Sequence, residues 1–331
     1  MQPSSFRGLA IGGGGVAEVA CGGALRVWVK SGNTLSQFTD FSGTSAGAIV
    51  ATMLALRASI DFIEDKLSTV DFSSFVDTSI FEKMRDLYGF WSSYGWNSGD
   101  GLEVWVGDLI QKLTGDKRIT FKQAHDRYGT RLIVTKTDLL YPECQLVTMD
   151  WQSHPNDSLW EAVVMSCRIP LFFQAALKDG HVFVDGGVLL NYPLRALYKN
   201  LKPEECMGIS LRSEPGTLVL KPIETYENFI TSLVNAWLRA STERHIEADD
   251  WKRTCSIHVT LSAIDFHAER SKIQEAVKQG ELEMAKFLTN LQRPSLEDII
   301  KEKDVLLAEK DVTIKKLQDV MNEVLSTITF S

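Results

Sequence analysis

Ser45 stands in Gly43-Thr44-Ser45-Ala46-Gly47, a G-x-S-x-G run between a strand-like stretch and a helical pattern. Small flanking residues let the backbone turn sharply and expose the hydroxyl, which is what a nucleophilic serine needs. A helix beginning at Ala46 points its positive end at Ser45 and favours negative charge developing there. Upstream, Gly12-Gly13-Gly14-Gly15 separates a strand from a helix, a place where backbone N–H groups can converge on an anion. The nucleotide-phosphate form of such a loop, G-x-x-x-x-G-K-[ST], is absent, and a dinucleotide fingerprint needs a glycine where Glu18 stands. The functional reading that survives is an oxyanion hole serving an acyl-transferring serine. Asp185-Gly186-Gly187 follows an apolar run and precedes Asn191-Tyr192-Pro193. An aspartate at a strand end can project into the same crevice, although Asp-Gly is also an ordinary turn.

The six histidines, at 125, 154, 181, 245, 258 and 267, form no H-x-x-x-H or HExxH pair, which disfavours a zinc site. A Ser-His-Asp hydrolase in chain order would draw its histidine from His245, His258 or His267, and no local pattern selects one.

These groups need elements to position them. Over the first ~210 residues short apolar runs alternate with helical patterns, the mark of an α/β fold with a largely parallel sheet. Strands are expected over 6–11, 37–42, 131–135, 181–185, 207–211 and 255–261, and helices over 17–30, from the serine turn to about 58, 227–250 and 269–291. In such a sheet the loops leaving the carboxyl ends of neighbouring strands converge, so the glycine loop and the serine turn can face one crevice.

Composition sets the outer limits. The chain has 331 residues, 35 Lys+Arg against 43 Asp+Glu and a net charge of -8, with 44% hydrophobic and 24% charged residues. That is a globular balance with ample material for a core. The acidic surplus disfavours nucleic acid, which calls for a basic footprint, and strong capture by anionic membranes, while leaving weak lipid contact open. Five scattered cysteines without a CxxC pair read as free thiols in a reducing compartment. The N-terminus lacks a basic start followed by an apolar core, and the longest apolar stretch, 46–56, is about half of the ~20 residues a membrane-spanning helix needs. The expectation is a soluble, intracellular, cytoplasmic protein.

The three motifs together resemble the patatin-like phospholipase family. Met165-Ser166-Cys167-Arg168-Ile169-Pro170-Leu171-Phe172-Phe173 is similar to its Ser-x-x-Pro-x-x-Phe segment, and Asp185-Gly186-Gly187 with Asn191 and Pro193 is similar to its D-G-[GA]-x-x-x-N-x-P. Segments 95–109, 120–124 and 265–288 also look like family segments, so the resemblance spans about residues 6–291. It implies an α/β, three-layer fold with a mainly parallel central sheet flanked by helices, occupying 1–292. It implies a phospholipase A-type lipid acyl hydrolase with Ser45 as nucleophile, Asp185 as general base and Gly13, Gly14 and Gly15 holding the oxyanion. No metal and no organic cofactor is implied. The expected partner is a phospholipid or other acyl-ester lipid, met through transient membrane-surface contact. One departure stands out. The family continues its glycines with x-[Arg/Lys]-Gly, where this chain has Ala17 and Glu18. Glu18 either faces the oxyanion and opposes its charge or sits in the first turn of the following helix, where a carboxylate is favourable. The predicted helix start favours the second placement. The same departure keeps open a lipid-binding or scaffold protein of the same fold without turnover.

Residues 295–330 contain no Gly or Pro and space Ile300, Leu307, Ile314, Met321 and Ile328 seven apart. Leu317 and Val324 add a second line whose earlier positions are Lys303 and Lys310. The expectation is a helical tail over 293–331 with an imperfect heptad, able to self-associate as a homo-oligomer or to lie on its own domain. Tyr88, Phe90, Trp91, Tyr94 and Trp96 crowd nine residues with glycines and serines among them. They read as a lid that meets a lipid surface or as core packing beneath a loop. For a lid, Trp91→Ala or Trp96→Ala reduces turnover of vesicle substrate far more than of a soluble short-chain ester. Equal loss on both substrates contradicts it.

Overall fold

The structure is a computed structural model that describes residues 2–76, 94–140, 142–213, 223–224 and 226–292, with 303–304, 307 and 310–318 in the C-terminal part. The chain divides into two compact units, Gln2–Leu288 and Thr289–Ser331, with Met1 counted with the second. In the second unit residues 310–318 are helical, and Leu307, Val312, Ile314 and Leu317 are exposed. The heptad positions Ile300, Met321 and Ile328 lie outside the described residues, as do Tyr88, Phe90 and Trp91 of the aromatic cluster.

The first unit is built on strands β1 Gly8–Ile11, β2 Asp40–Thr44, β4 Arg131–Asp138, β5 Gln145–Met149, β7 Ala176–Lys178, β8 His181–Asp185, β9 Cys206–Ser213 and β10 Thr254–Val259, with β3 Gly95–Asn97 and β6 Leu171–Phe173 forming a separate parallel pair. Its helices are α1 Val19–Lys30, α2 Ala46–Ala55, α3 Ile60–Thr69, α4 Asp100–Thr114, α5 Phe121–Tyr128, α6 Leu159–Ser166, α7 Tyr226–Glu243, α8 Ala248–Lys252 and, up to Leu288, α9 Arg270–Gln292. The main sheet runs β10-β9-β1-β2-β4-β8-β7, parallel from β10 to β4 and antiparallel beyond, with β5 also on β4. Helices flank it on both sides, which is the three-layer α/β architecture expected. Side chains alternate across it. On one face Gly43 meets Ala48 of α2. On the other Ser42 donates to Pro193 O, and Tyr192, Leu194 and Leu197 pack on Ala10 and Ile133.

The register around β4 positions everything that follows. Residues 131–135 of β4 pair with β2, 136–138 pair with β8, and 134–138 pair with β5. A strand has two hydrogen-bonding edges. Because β5 overlaps the pairings of both β2 and β8, it must take one edge, and β2 and β8 share the other. They meet there end to end: Thr44, the last residue of β2, pairs with Thr135, and Asp185, the last residue of β8, pairs with Lys136.

Element boundaries differ from expectation for local reasons. β2 starts at Asp40, not residue 37, because Leu35–Gln37 is a turn in which Thr34 Oγ1 accepts the Ser36 N–H, and because β1 enters the sheet with Gly8 opposite Asp40. The helix expected over 17–30 opens with a 3₁₀ turn at Gly15–Glu18. The helix expected over 227–250 breaks after Glu243, since Asp250 restarts it as α8 by accepting the Glu247 N–H. Asp250 also takes hydrogen bonds from Arg195, Tyr198 and Arg253. The apolar stretch at 46–56 is the buried helix α2, and no helix among the described residues is long and apolar enough to cross a membrane.

At its N-terminal end β4 is tied to β5 by Arg131, whose guanidinium donates from Nε and Nη2 to Asp150 Oδ2, with both side chains buried. Burial raises the Asp150 pKa, but the Ser153 and Arg131 donors outweigh it and hold the carboxyl below its usual range. Asp150→Asn removes one charge of a buried pair and lowers unfolding free energy by about 3–5 kcal/mol in urea denaturation. Since the folded pKa is depressed, this stabilisation is full above the ordinary carboxylate range and fades as pH falls through the folded value.

Candidate active site

Ser45 sits between β2 and α2 at φ 55° and ψ -134°, a strained conformation for a residue with a side chain. The turn closes because its neighbours lack side chains. A Cβ on Gly43 would lie 2.6 Å from the Gly47 carbonyl oxygen, and one on Gly47 would lie 2.3 Å from that of Gly12. The Ser45 N–H donates to Ser166 Oγ at 2.8 Å, and Thr44 Oγ1 donates to Leu190 O at 2.9 Å. The strain is thus held by contacts to α6 and to the segment after Asp185. Ser45 is 5% exposed.

Asp185 ends β8 on the neighbouring rung. Its Oδ1 accepts the Gly187 N–H at 2.7 Å, while Oδ2 is buried without a hydrogen bond of good geometry. Its own N–H donates to Arg168 O at 2.8 Å. Burial pushes the carboxyl pKa up to about 7, and the nearby Ser45 hydroxyl and the Gly187 N–H hold it from rising further. Serine and carboxyl therefore face one another without being locked together, and the carboxyl is basic enough to take a proton near neutrality.

The glycine loop is clamped by Asn191. The Gly13 N–H donates to Asn191 O at 2.9 Å, and Asn191 Nδ2 donates to Gly13 O and Thr242 Oγ1 at 3.1 and 2.9 Å. Ser241 Oγ accepts the Asn191 N–H. Gly13, expected as one of three oxyanion donors, is therefore committed to holding the loop, with Ser45 Cβ 3.0 Å from where its own Cβ would stand. Among the described residues the N–H groups of Gly14, Gly15 and Ala46 have no acceptor. Ala46 was not among the expected donors. It is the residue after the serine, opens α2, and presents its N–H with the positive end of the helix. Ser166 falls within the Ser-x-x-Pro-x-x-Phe segment, whereas Ser241 and Thr242 carry no local sequence signal.

Ser45, Gly15 and Ala46 open on a cleft of about 540 Å³, part of it open to solvent. Its wall is apolar, with Val16, Ile49, Leu102, Trp105, Phe173 and Phe266 among its residues. No histidine lines it among the described residues. His245 Nε2 is paired with Leu189 O, and His258 lines a different pocket. One acidic side chain belongs to the cleft wall. Glu18 stands at the start of α1 as expected, yet it is 2% exposed and borders the same cleft as Ser45. Burial pushes its pKa up to about 8, against the opposing hydrogen bond from Cys21.

The model of the patatin-like phospholipase family matches residues 9–198. The chain is 28% identical over 294 residues to protein YqhO of Bacillus subtilis (strain 168), spanning 83% of this chain and 96% of that protein. It is 24% identical over 201 residues to the probable lipid hydrolase 463L of Invertebrate iridescent virus 6, spanning 59% and 64% of the two chains. Among solved structures, VipD from Legionella pneumophila shares the fold with a TM-score of 0.56 at 17% identity, over 86% of this chain and 67% of that one.

Asp185 carries a linkage consequence. Its folded pKa is raised, so its burial costs nothing below the unfolded carboxylate pKa and destabilises increasingly as pH rises to about 7. Asp185→Asn therefore raises unfolding free energy by roughly 2–4 kcal/mol at pH 8 and by little at pH 4, measured by denaturant titration. An equal gain at both pH values contradicts the raised pKa.

Proposed function

The chain belongs to the patatin-like phospholipase family, a lineage of lipid hydrolases, and on that premise we propose that it is a phospholipase A-type acyl hydrolase working through a Ser45–Asp185 dyad. The observation that carries this reading is the end-to-end approach of β2 and β8 on one edge of β4, with a strained serine at one end and a buried, basic carboxyl at the other. An apolar cleft that no histidine lines among the described residues supports a dyad over a Ser-His-Asp triad. It also suits a fatty-acyl chain, whose methylenes each gain ~0.8 kcal/mol on leaving water.

In this mechanism Ser45 Oγ attacks the ester carbonyl while Asp185 takes the hydroxyl proton. The tetrahedral oxyanion is received by the N–H groups of Gly14, Gly15 and Ala46, donors of a kind whose single removal costs about 3–4 kcal/mol in other acyl-transfer enzymes. Asp185 returns the proton to the departing alcohol, and the acyl-enzyme is hydrolysed by a water that the same carboxylate activates. The strained turn keeps Oγ in place before substrate arrives, so little reorganisation is needed at the moment of attack. The second unit of the chain is proposed to self-associate through Leu307 and Ile314, which are exposed at heptad spacing.

Ser45→Ala and Asp185→Asn each lower turnover of a phospholipid vesicle substrate by at least about 10³-fold while circular dichroism shows the fold retained. Mass analysis of the products shows free fatty acid and lysophospholipid. Full activity in either variant overturns the dyad.

A further inference from the structure

Glu18 is an odd residue to find in an apolar cleft. Its Oε1 accepts the Cys21 thiol at 2.6 Å, while its Oε2 is buried and has no partner. Oε2 lies 2.7 Å from where a Cβ on Gly14 would stand, beside the loop whose Gly14 and Gly15 N–H groups have no acceptor. No lysine, arginine or histidine lines the cleft among the described residues. The titratable groups around it are Cys21 on its own helix, Cys255 on β10 facing Cys21, Cys167 after α6, which feels both Glu18 and Asp185, and Asp185 itself beside Ser45. The cation nearest in sequence to Cys167, Arg168, is engaged by Ser98 O and Glu103. A carboxylate here would have neither solvent nor counter-ion, so the neutral acid is the form the site accommodates.

Resting on the dyad reading above, we propose that Glu18 is a further catalytic residue: a neutral carboxylic acid whose Oε2–H donates a hydrogen bond to the substrate's acyl carbonyl oxygen as Ser45 attacks. Because Oε1 already accepts from Cys21, the proton belongs on Oε2, the oxygen beside the glycine loop. Ser45 Oγ forms its bond to the carbonyl carbon, the serine proton passes to Asp185, and the carbonyl π pair moves onto oxygen. Glu18 shares its proton with that oxygen without giving it up. When the intermediate collapses the carbonyl re-forms, the C–O bond to the alcohol breaks, and the alcohol leaves with the proton from Asp185. A neutral acid at 18 supplies a donor without bringing a buried charge.

Two carboxyls then have opposite duties. Asp185 must be ionised, so activity rises with pH through about 7. Glu18 must keep its proton, so activity falls above about 8, where its negative charge would repel the oxyanion. The sign for Glu18 follows from its raised pKa: the neutral form persists through neutrality and is lost only on the alkaline side.

The test uses the full-length protein and a soluble short-chain ester, with kcat/KM followed from pH 6 to 10 for wild type, Glu18→Gln, Glu18→Leu and Ser45→Ala. Glu18→Gln keeps a neutral donor, so it is expected within about threefold of wild type at pH 7 and without the wild-type alkaline fall. Glu18→Leu fills the apolar site but cannot donate, and is expected to lose at least tenfold at pH 7 with its thermal midpoint undiminished. The infrared difference between wild type and Glu18→Gln at pH 7 is expected to contain a protonated carboxyl band. Wild-type turnover in Glu18→Leu, an alkaline limb unchanged in Glu18→Gln, or an ionised carboxylate band overturns the assignment of Glu18 alone when Ser45→Ala is inactive. Full activity in Ser45→Ala overturns the dyad and the Glu18 assignment with it.

Discussion

One edge of one strand governs this site. β4 gives residues 131–135 to β2 and residues 136–138 to β8 along the same edge, and two strands running in opposite directions end against each other there. Hydrogen-bond register, not side-chain affinity, brings Ser45 and Asp185 together from positions 140 residues apart. The antiparallel β8 is essential to this. A parallel strand in its place would carry its C-terminal residue away from the end of β2. What holds β4 in place, such as the buried Arg131–Asp150 pair, therefore holds the geometry of the site.

The second determinant is the absence of water and counter-charge. Burial raises the pKa of both Asp185 and Glu18 through desolvation. The same burial that suits Asp185 to the base role proposed for it makes it a burden on folding at neutral pH. Asn191 adds rigidity without charge, pinning Gly13 through both its backbone and its side chain. The D-G-G-x-x-x-N segment thus serves both halves of the site: Asp185 approaches Ser45, and six residues later Asn191 sets the loop that faces it.

Much of this was legible in the residues. The strand–turn–helix around Ser45, the glycine loop and the strand ending at Asp185 all follow from local pattern, and the small-residue requirement at Gly43 and Gly47 is visible in the motif itself. The pairing of β2 and β8 along one edge was not legible, because register between distant strands is set by packing that no local window contains. The clamp on Gly13 was hidden for the same reason, since Asn191, Ser241 and Thr242 meet only in the fold. Glu18 shows the limit of local reasoning most clearly. Its place at a helix start was readable, but the cleft it borders is walled by Trp105 and Phe266, which come from separate elements.

In the proposed mechanism, register at β4 makes Ser45 nucleophilic through Asp185. Its most direct measurement is the rate and position of covalent labelling by a fluorophosphonate, mapped by mass spectrometry against pH. A single adduct on Ser45 is expected, with a rate that rises through about pH 7 and is lost in the Asp185→Asn variant. An adduct on another residue, or undiminished labelling of Ser45 in Asp185→Asn, would contradict it.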